Sequence, residues 1–185
     1  MTKDLLKGVH VALRALEPED EELLFRWENN PSVWRVSHTL TPISRHQIKE
    51  YLAHIHLDIF QTRQLRLVIT HTDSDQQPIG LIDLFDYDPF HQRAGVGILI
   101  AENKNRHRGF ASEALELLVN YAFTSLMLYQ LYASMTVDNP VSLQLFEKTG
   151  FKLIGTRKGW IRTFDGWMDE WYLQLIRPDW AKSHS

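Results

Sequence analysis

Cysteine is absent from the 185-residue chain. That excludes disulfides, thiolate metal sites and any acyl-cysteine intermediate. It is compatible with a reducing, cytoplasmic setting, which is the expected location. No window approaches ~18 uninterrupted apolar residues, so no membrane span is expected. The opening MTKDLLKGVHV lacks the apolar stretch and small-residue cleavage site of a leader. Excess positive charge is missing too. Twenty Lys and Arg against 23 Asp and Glu leave a net charge of −3, which argues against a nucleic-acid partner but allows a local basic patch. The phosphate-binding patterns G-x-x-x-x-G-K-[ST] and G-x-G-x-x-G do not occur; Gly95 and Gly97 have no third glycine at the required spacing. There is no internal repeat and no low-complexity linker. One domain over residues 1–185, with a core from about 8 to 178, is expected, and 44% hydrophobic residues suffice for it.

Periodicity supplies the elements. VHVALRAL predicts a first strand with Val9, Val11, Leu13 and Ala15 on one face. EPEDEELLFRWEN predicts a helix, with Pro18 at its first position and acids in its first turn. SRHQIKEYLAHIHLDIF predicts a second helix, and QLRLVITH, PIGLIDLFDYD and RAGVGILIAE three successive strands. A longer helix comes next, with a stripe of Ala111, Ala114, Leu115, Leu118 and Ala122. QLYASMTV alternates as a strand. Asn139, Pro140 and Gly150 punctuate a short helix as cap, first residue and stop. Asp165-Gly166 marks a closing hairpin. The order implies an α/β fold: a mixed, mainly antiparallel sheet of about seven strands with about four helices on its two faces.

NKNRHRGFASEAL is the most distinctive stretch. A strand entering a helix through Arg106, His107, Arg108, Gly109, Phe110 and Ala111 offers first-turn N–H groups, the helix dipole and guanidinium groups to an anion. Gly109 lets a ligand approach the backbone. A phosphate or pyrophosphate is the natural guest; helix capping alone is the plainer alternative.

RHRGFA resembles the Arg/Gln-x-x-Gly-x-Gly/Ala signature of the GNAT superfamily of acetyl-CoA-dependent N-acetyltransferases. About 25 residues later, VDNPVSLQLFEKTGF is similar to the second motif of that family. VALRALEPEDEELLFRWENNPSVWR and PIGLIDLFDYDPFHQRAGVGILI resemble the branch with ribosomal-protein alanine and spermidine or diamine acetyltransferases. The resemblance implies a sheet splayed in its middle. It implies that Arg106 to Ser112 cradle the pyrophosphate of coenzyme A. Ile98, Leu99 and Ile100 would pair with the pantetheine arm like an added strand, and Asn139, Ser142 and Phe146 would line it from the other side. A backbone N–H at the splay would stabilise the acyl oxygen.

Acetylating an amine requires that the amine lose a proton and that the thiolate leave. Many relatives protonate the thiolate from a tyrosine in Tyr-Glu-Lys-x-Gly-Phe. Here the stretch is Phe146-Glu147-Lys148-Thr149-Gly150-Phe151, and Phe146 has no proton to give. Ser142 or water is the expected substitute; departure of an unprotonated thiolate and an inactive acyl-CoA-binding protein are the other readings. Asp83 is the expected base. Period-two alternation places it on one face with Leu81, Phe85 and Tyr87, and apolar neighbours should raise its pKa. Relatives also use water chains, and a structural carboxylate is the alternative.

Trp27 and Trp34 flank ENNPSV, where the resemblance places the acceptor; with Glu28, Phe85 and Tyr87 they would wall a cationic amine. Three acids in the segment from Asp165 to Glu170 would add attraction. His54 and His56 sit two apart, too divergent on a helix to share a metal, and His38, His46, His91 and His107 form no ligand pattern; no metal is expected. The expected partner is a small-molecule amine, a polyamine first and a protein N-terminus second, with a homo-oligomer left open.

Overall fold

The computed structural model describes residues 4–31, 33–34, 40–73 and 75–183. The strands are β1 (Val11–Ala15), β2 (Leu65–His71), β3 (Pro78–Asp88), β4 (Arg93–Ile100), β5 (Gln130–Thr136), β6 (Lys152–Thr163) and β7 (Gly166–Ile176). They form one seven-stranded sheet in the order β1-β2-β3-β4-β5-β7-β6. Its pairs are antiparallel except β4 with β5.

The α-helices among the described residues are α1 (Glu21–Glu28), α2 (Arg45–Ala53), α3 (Ile59–Thr62), α4 (Phe110–Thr124), α5 (Pro140–Lys148) and α6 (Arg177–Ser183). Two more appear than the periodicity predicts. The run from Ser44 to Phe60 is not one helix, because the Asp58 carboxylate accepts from the amides of Phe60 and Gln61 and starts a new one. The C-terminal α6 carries no comparable signal.

The sheet separates two apolar layers. Ile82 and Leu84 of β3 face α4, whose Ala114, Leu115, Leu118, Val119 and Ala122 are fully buried. Val68 and Leu81 face Leu24 and Trp27 of α1 and Ile48 and Leu52 of α2. Burying each such leucine contributes about 2 kcal/mol. Strand β1 begins later than expected. Val9 is 78% exposed, and the amides of Val9 and His10 donate to the Glu113 carboxylate, tying the N-terminal segment to α4.

Two irregularities involve β4 and its neighbours. The β4–β5 pairing ends at Gly95 and Tyr132. Beyond it β4 continues against β3 as far as Ile100, while β5 continues against β7 as far as Thr136, so the sheet forks. Strand β3 also carries a bulge: Phe85 faces Gly95 and Asp88 faces Arg93, leaving Asp86 and Tyr87 opposite Ala94 alone.

Candidate active site

One branch of the fork leads to the start of α4. Its cap, Gly109, has φ +84°, a conformation that side chains resist, and a Cβ there would meet nothing within 4 Å. No side chain caps the helix. Its first-turn amides therefore face open space together with the partial charge of the dipole. The buried hydroxyl of Ser112 has no hydrogen-bond partner among the described residues. Arg106 is held in place by donating from Nε to the Ile100 carbonyl at 3.1 Å. The guanidinium of Arg108 lies 5.1 Å from the Phe110 ring centre. His107, Gly109, Phe110, Ala111 and Ser112 line this groove with Ile98, Leu99 and Ile100 on one wall and Asn139 and Ser142 on the other.

The strand wall is built for pairing. Ala101 donates its amide to Ile79 across β3. By alternation Ile98 and Ile100 turn their backbone groups towards the gap. On the opposite wall the Asn139 side chain accepts from the Ser142 amide at 3.1 Å and starts α5. These residues fit an extended polar arm ending in a pyrophosphate, with the unpartnered Ser112 hydroxyl beside the phosphate seat.

At the fork the groove passes into a second chamber. Ile98, Leu99, Asn139 and Ser142 border both, and Glu28, Val33, Arg66, Asp83, Phe85 and Phe146 complete the second. Phe146 is 4% exposed and meets Phe151 edge-on at 5.0 Å. Gly95 makes room for Phe85, whose ring carbon would lie 2.3 Å from any Cβ there.

Asp83 does not have the apolar surroundings expected of it. Arg66 donates to both its oxygens, at 2.7 Å from Nε and 3.3 Å from Nη2, and to Glu28 at 2.8 Å from Nη1. Burial works against the charge of Arg66, but the Asp83 and Glu28 carboxylates outweigh it and hold the guanidinium above its ordinary range. Two carboxylates share one cation, so this half-buried cluster keeps one net negative charge. Both oxygens of Asp83 are engaged by Arg66, so the carboxylate is ion-paired where a free one is expected. Arg66 is the site residue that motif and periodicity do not single out. Its position in an otherwise apolar strand is the available signal, since a half-buried arginine needs partners.

Of the expected aromatic wall, Phe85 borders the chamber and Trp27, Trp34 and Tyr87 do not. Trp27 is 3% exposed and belongs to the core between α1 and α2. Trp34 donates from its indole to the Glu28 carbonyl at 2.6 Å and does not border the chamber. Glu28 does. Tyr87 also moves. The bulge turns it to the other face of β3, where it is 5% exposed and meets Phe60 edge-on at 5.5 Å. Asp86, with φ +49°, is the bulged residue at the sheet surface instead. It borders a third chamber that shares Phe85 and Ser134 with the second.

Of the three hairpin acids, Asp169 pairs with Lys158 at 2.7 Å and Glu170 with Arg157 at 2.9 Å, which leaves Asp165 in the turn. His91 binds Asp88 through Nδ1 at 2.8 Å. With the His91 amide as the largest cause and its ring next, the Asp88 carboxyl falls to about 2. His54 and His56 lie past the end of α2 with rings 6.4 Å apart, and each binds a backbone carbonyl. His38 lies outside the described residues.

Residues 10–152 match the family model described as an acetyltransferase (GNAT) domain. The chain is similar to spermidine N(1)-acetyltransferases. It is 30% identical over 142 residues to that of Vibrio cholerae, covering 76% of this chain and 78% of the relative. It is 30% identical over 146 residues to that of Escherichia coli K12, covering 78% and 74%. A crystal structure of the Vibrio cholerae spermidine N-acetyltransferase in complex with CoA and spermine superposes with a TM-score of 0.83, at 25% identity, covering 92% of this chain and 98% of that one.

Proposed function

This chain is an acetyltransferase of the GNAT family, and from that premise we propose that it transfers the acetyl group of acetyl-CoA to a primary amine of a polyamine such as spermidine, by direct attack with both substrates bound. One observation carries the reading: the sheet forks after Gly95 and Tyr132, and the fork joins a phosphate-suited helix start to a chamber holding one uncompensated negative charge. The names of the relatives support a polyamine as acceptor.

Coenzyme A supplies an activated acetyl thioester when bound. Arg106, Arg108 and the amides from Gly109 to Ser112 hold its pyrophosphate. The Ile98 and Ile100 backbone pairs with its arm, and Asn139, Ser142 and Phe146 close the other side. The Ile98 N–H, turned into the gap, lies where negative charge develops on the acyl oxygen. Glu28 and Asp83 draw the ammonium group of the acceptor into the chamber. The attacking amine passes its proton to water beside these carboxylates. Ser142 relays a proton from water to the departing sulfur, regaining one as it gives one, in place of the tyrosine that Phe146 replaces.

Thiol release across a panel of spermidine, an alanine-initiated peptide and hexylamine tests this. Spermidine is expected to give the highest kcat/KM. Preference for the peptide would move the assignment to protein N-termini. Acetyl-CoA binding without turnover of any amine would make the chain a non-catalytic binder.

A further inference from the structure

Resting on the polyamine reading above, we propose that Asp86 seats the second ammonium group of the acceptor and so selects di- and triamines over monoamines. The bulge puts a carboxylate on the surface next to Phe85, where regular pairing would have put the Tyr87 ring. The chamber that Asp86 borders is continuous with the reaction chamber through Phe85 and Ser134. Its other carboxylates, Asp88 and Glu170, already have cation partners. Arg93 and His91 hold Asp88, at 3.4 and 2.8 Å. Arg157 holds Glu170 at 2.9 Å while stacking over Tyr172 at 4.2 Å. Arg63 donates to the Tyr87 carbonyl at 3.3 Å.

Asp86 has no cation partner among the described residues. It accepts one hydrogen bond, from the Tyr132 hydroxyl at 3.2 Å. That bond aims the carboxylate and leaves most of its acceptor sites open. The Phe85 and Tyr132 rings stand edge to face at 5.9 Å, and Tyr172 stacks on Tyr132 at 5.6 Å. An ammonium beside Asp86 would thus find both a charge and aromatic faces. Asp83 and Asp86 lie three residues apart on β3, about 10 Å along a strand. An extended polyamine can span that distance, with the reacting nitrogen at the Asp83 end and another at the Asp86 end; hexylamine fills the track without the second charge.

Asp86→Asn is the test, because asparagine tolerates positive φ and keeps the side-chain shape. The measured quantity is the ratio of kcat/KM for spermidine to kcat/KM for hexylamine. It is expected to fall about tenfold or more, the range for a lost charge-assisted hydrogen bond, mostly through the KM for spermidine. Tyr132→Phe, which removes the aiming hydroxyl, is expected to lower the ratio by less. A wild-type enzyme that turns over spermidine while Asp86→Asn leaves the ratio unchanged overturns the seat and leaves the polyamine reading standing. A wild-type enzyme that turns over no di- or triamine overturns both.

Discussion

On the side of the fork proposed for the phosphate, the groups on offer are backbone amides, a glycine without a side chain and the edge of β4. On the side proposed for the amine they are carboxylates and a guanidinium drawn from α1, β2 and β3. A backbone site is fixed once a strand, a turn and a helix form in the right order, and most side chains around it can vary. A side-chain site depends on a few charges whose partners lie far apart in the chain. The phosphate side should therefore fail through loss of space, and the amine side through loss of charge balance.

The largest effect is expected where space is removed. Gly109→Glu places a carboxylate where a Cβ now meets nothing within 4 Å. It also forces a side chain into φ +84°, at about 1–2 kcal/mol. Affinity for acetyl-CoA measured by calorimetry should drop about 100-fold or more, roughly 3 kcal/mol. Gly109→Ala carries the strain without the anion and should lose much less. Equal losses in the two variants would mean that the backbone conformation, and not the open seat, governs binding. Unchanged affinity in Gly109→Glu would remove the phosphate from this corner.

The same contrast decides what is legible in the chain alone. Arg106 to Ser112 are contiguous, so the composition of one short stretch is enough to suggest the proposed anion seat, and Asn139-Pro140 marks the facing helix just as locally. The layers are legible for the same reason: Leu131, Ala133 and Met135 alternate within β5 and are buried as that alternation implies. The amine side is not. Arg66 meets Asp83 17 positions away and Glu28 38 positions away, and no local pattern records such a pairing. Trp27 and Glu28 are neighbours in sequence, yet the helix turns one into the core and the other into the chamber. The exchange of Tyr87 for Asp86 comes from a bulge, which is a property of two strands and their register rather than of PIGLIDLFDYD by itself.

Charge balance is challenged by Arg66→Met. The variant removes the guanidinium that holds Asp83 and Glu28 in place, so both carboxylates lose their hydrogen-bonded partner and their fixed position. The spermidine kcat/KM should fall about 10- to 100-fold, the range for lost charge-assisted hydrogen bonds, and Arg66→Lys, which keeps the charge, should lose less. Affinity for acetyl-CoA should stay near wild type, since Arg66 does not border the groove at α4. An equal loss in Arg66→Lys would assign the effect to the forked geometry of the guanidinium rather than to its charge. A fall in acetyl-CoA affinity would show that the two sides are not separable.

The smallest effect is expected where the sides meet. Phe146 borders the central chamber one helical turn from Ser142, on the same face of α5. Phe146→Tyr adds a hydroxyl that must find a partner in a position now 4% exposed. The Ser142 side is the polar direction open to it, since Phe151 packs against the ring at 5.0 Å. With the hydroxyl turned that way, a second proton source joins Ser142 beside the sulfur, and kcat should stay equal or rise a few-fold. If Ser142 is the donor, Ser142→Ala should slow the wild type more than it slows the Phe146→Tyr variant, because the added phenol takes over its task. A large fall in kcat for Phe146→Tyr alone would mean that the bare ring shapes the chamber. Equal slowing by Ser142→Ala in both backgrounds would place the proton source on water.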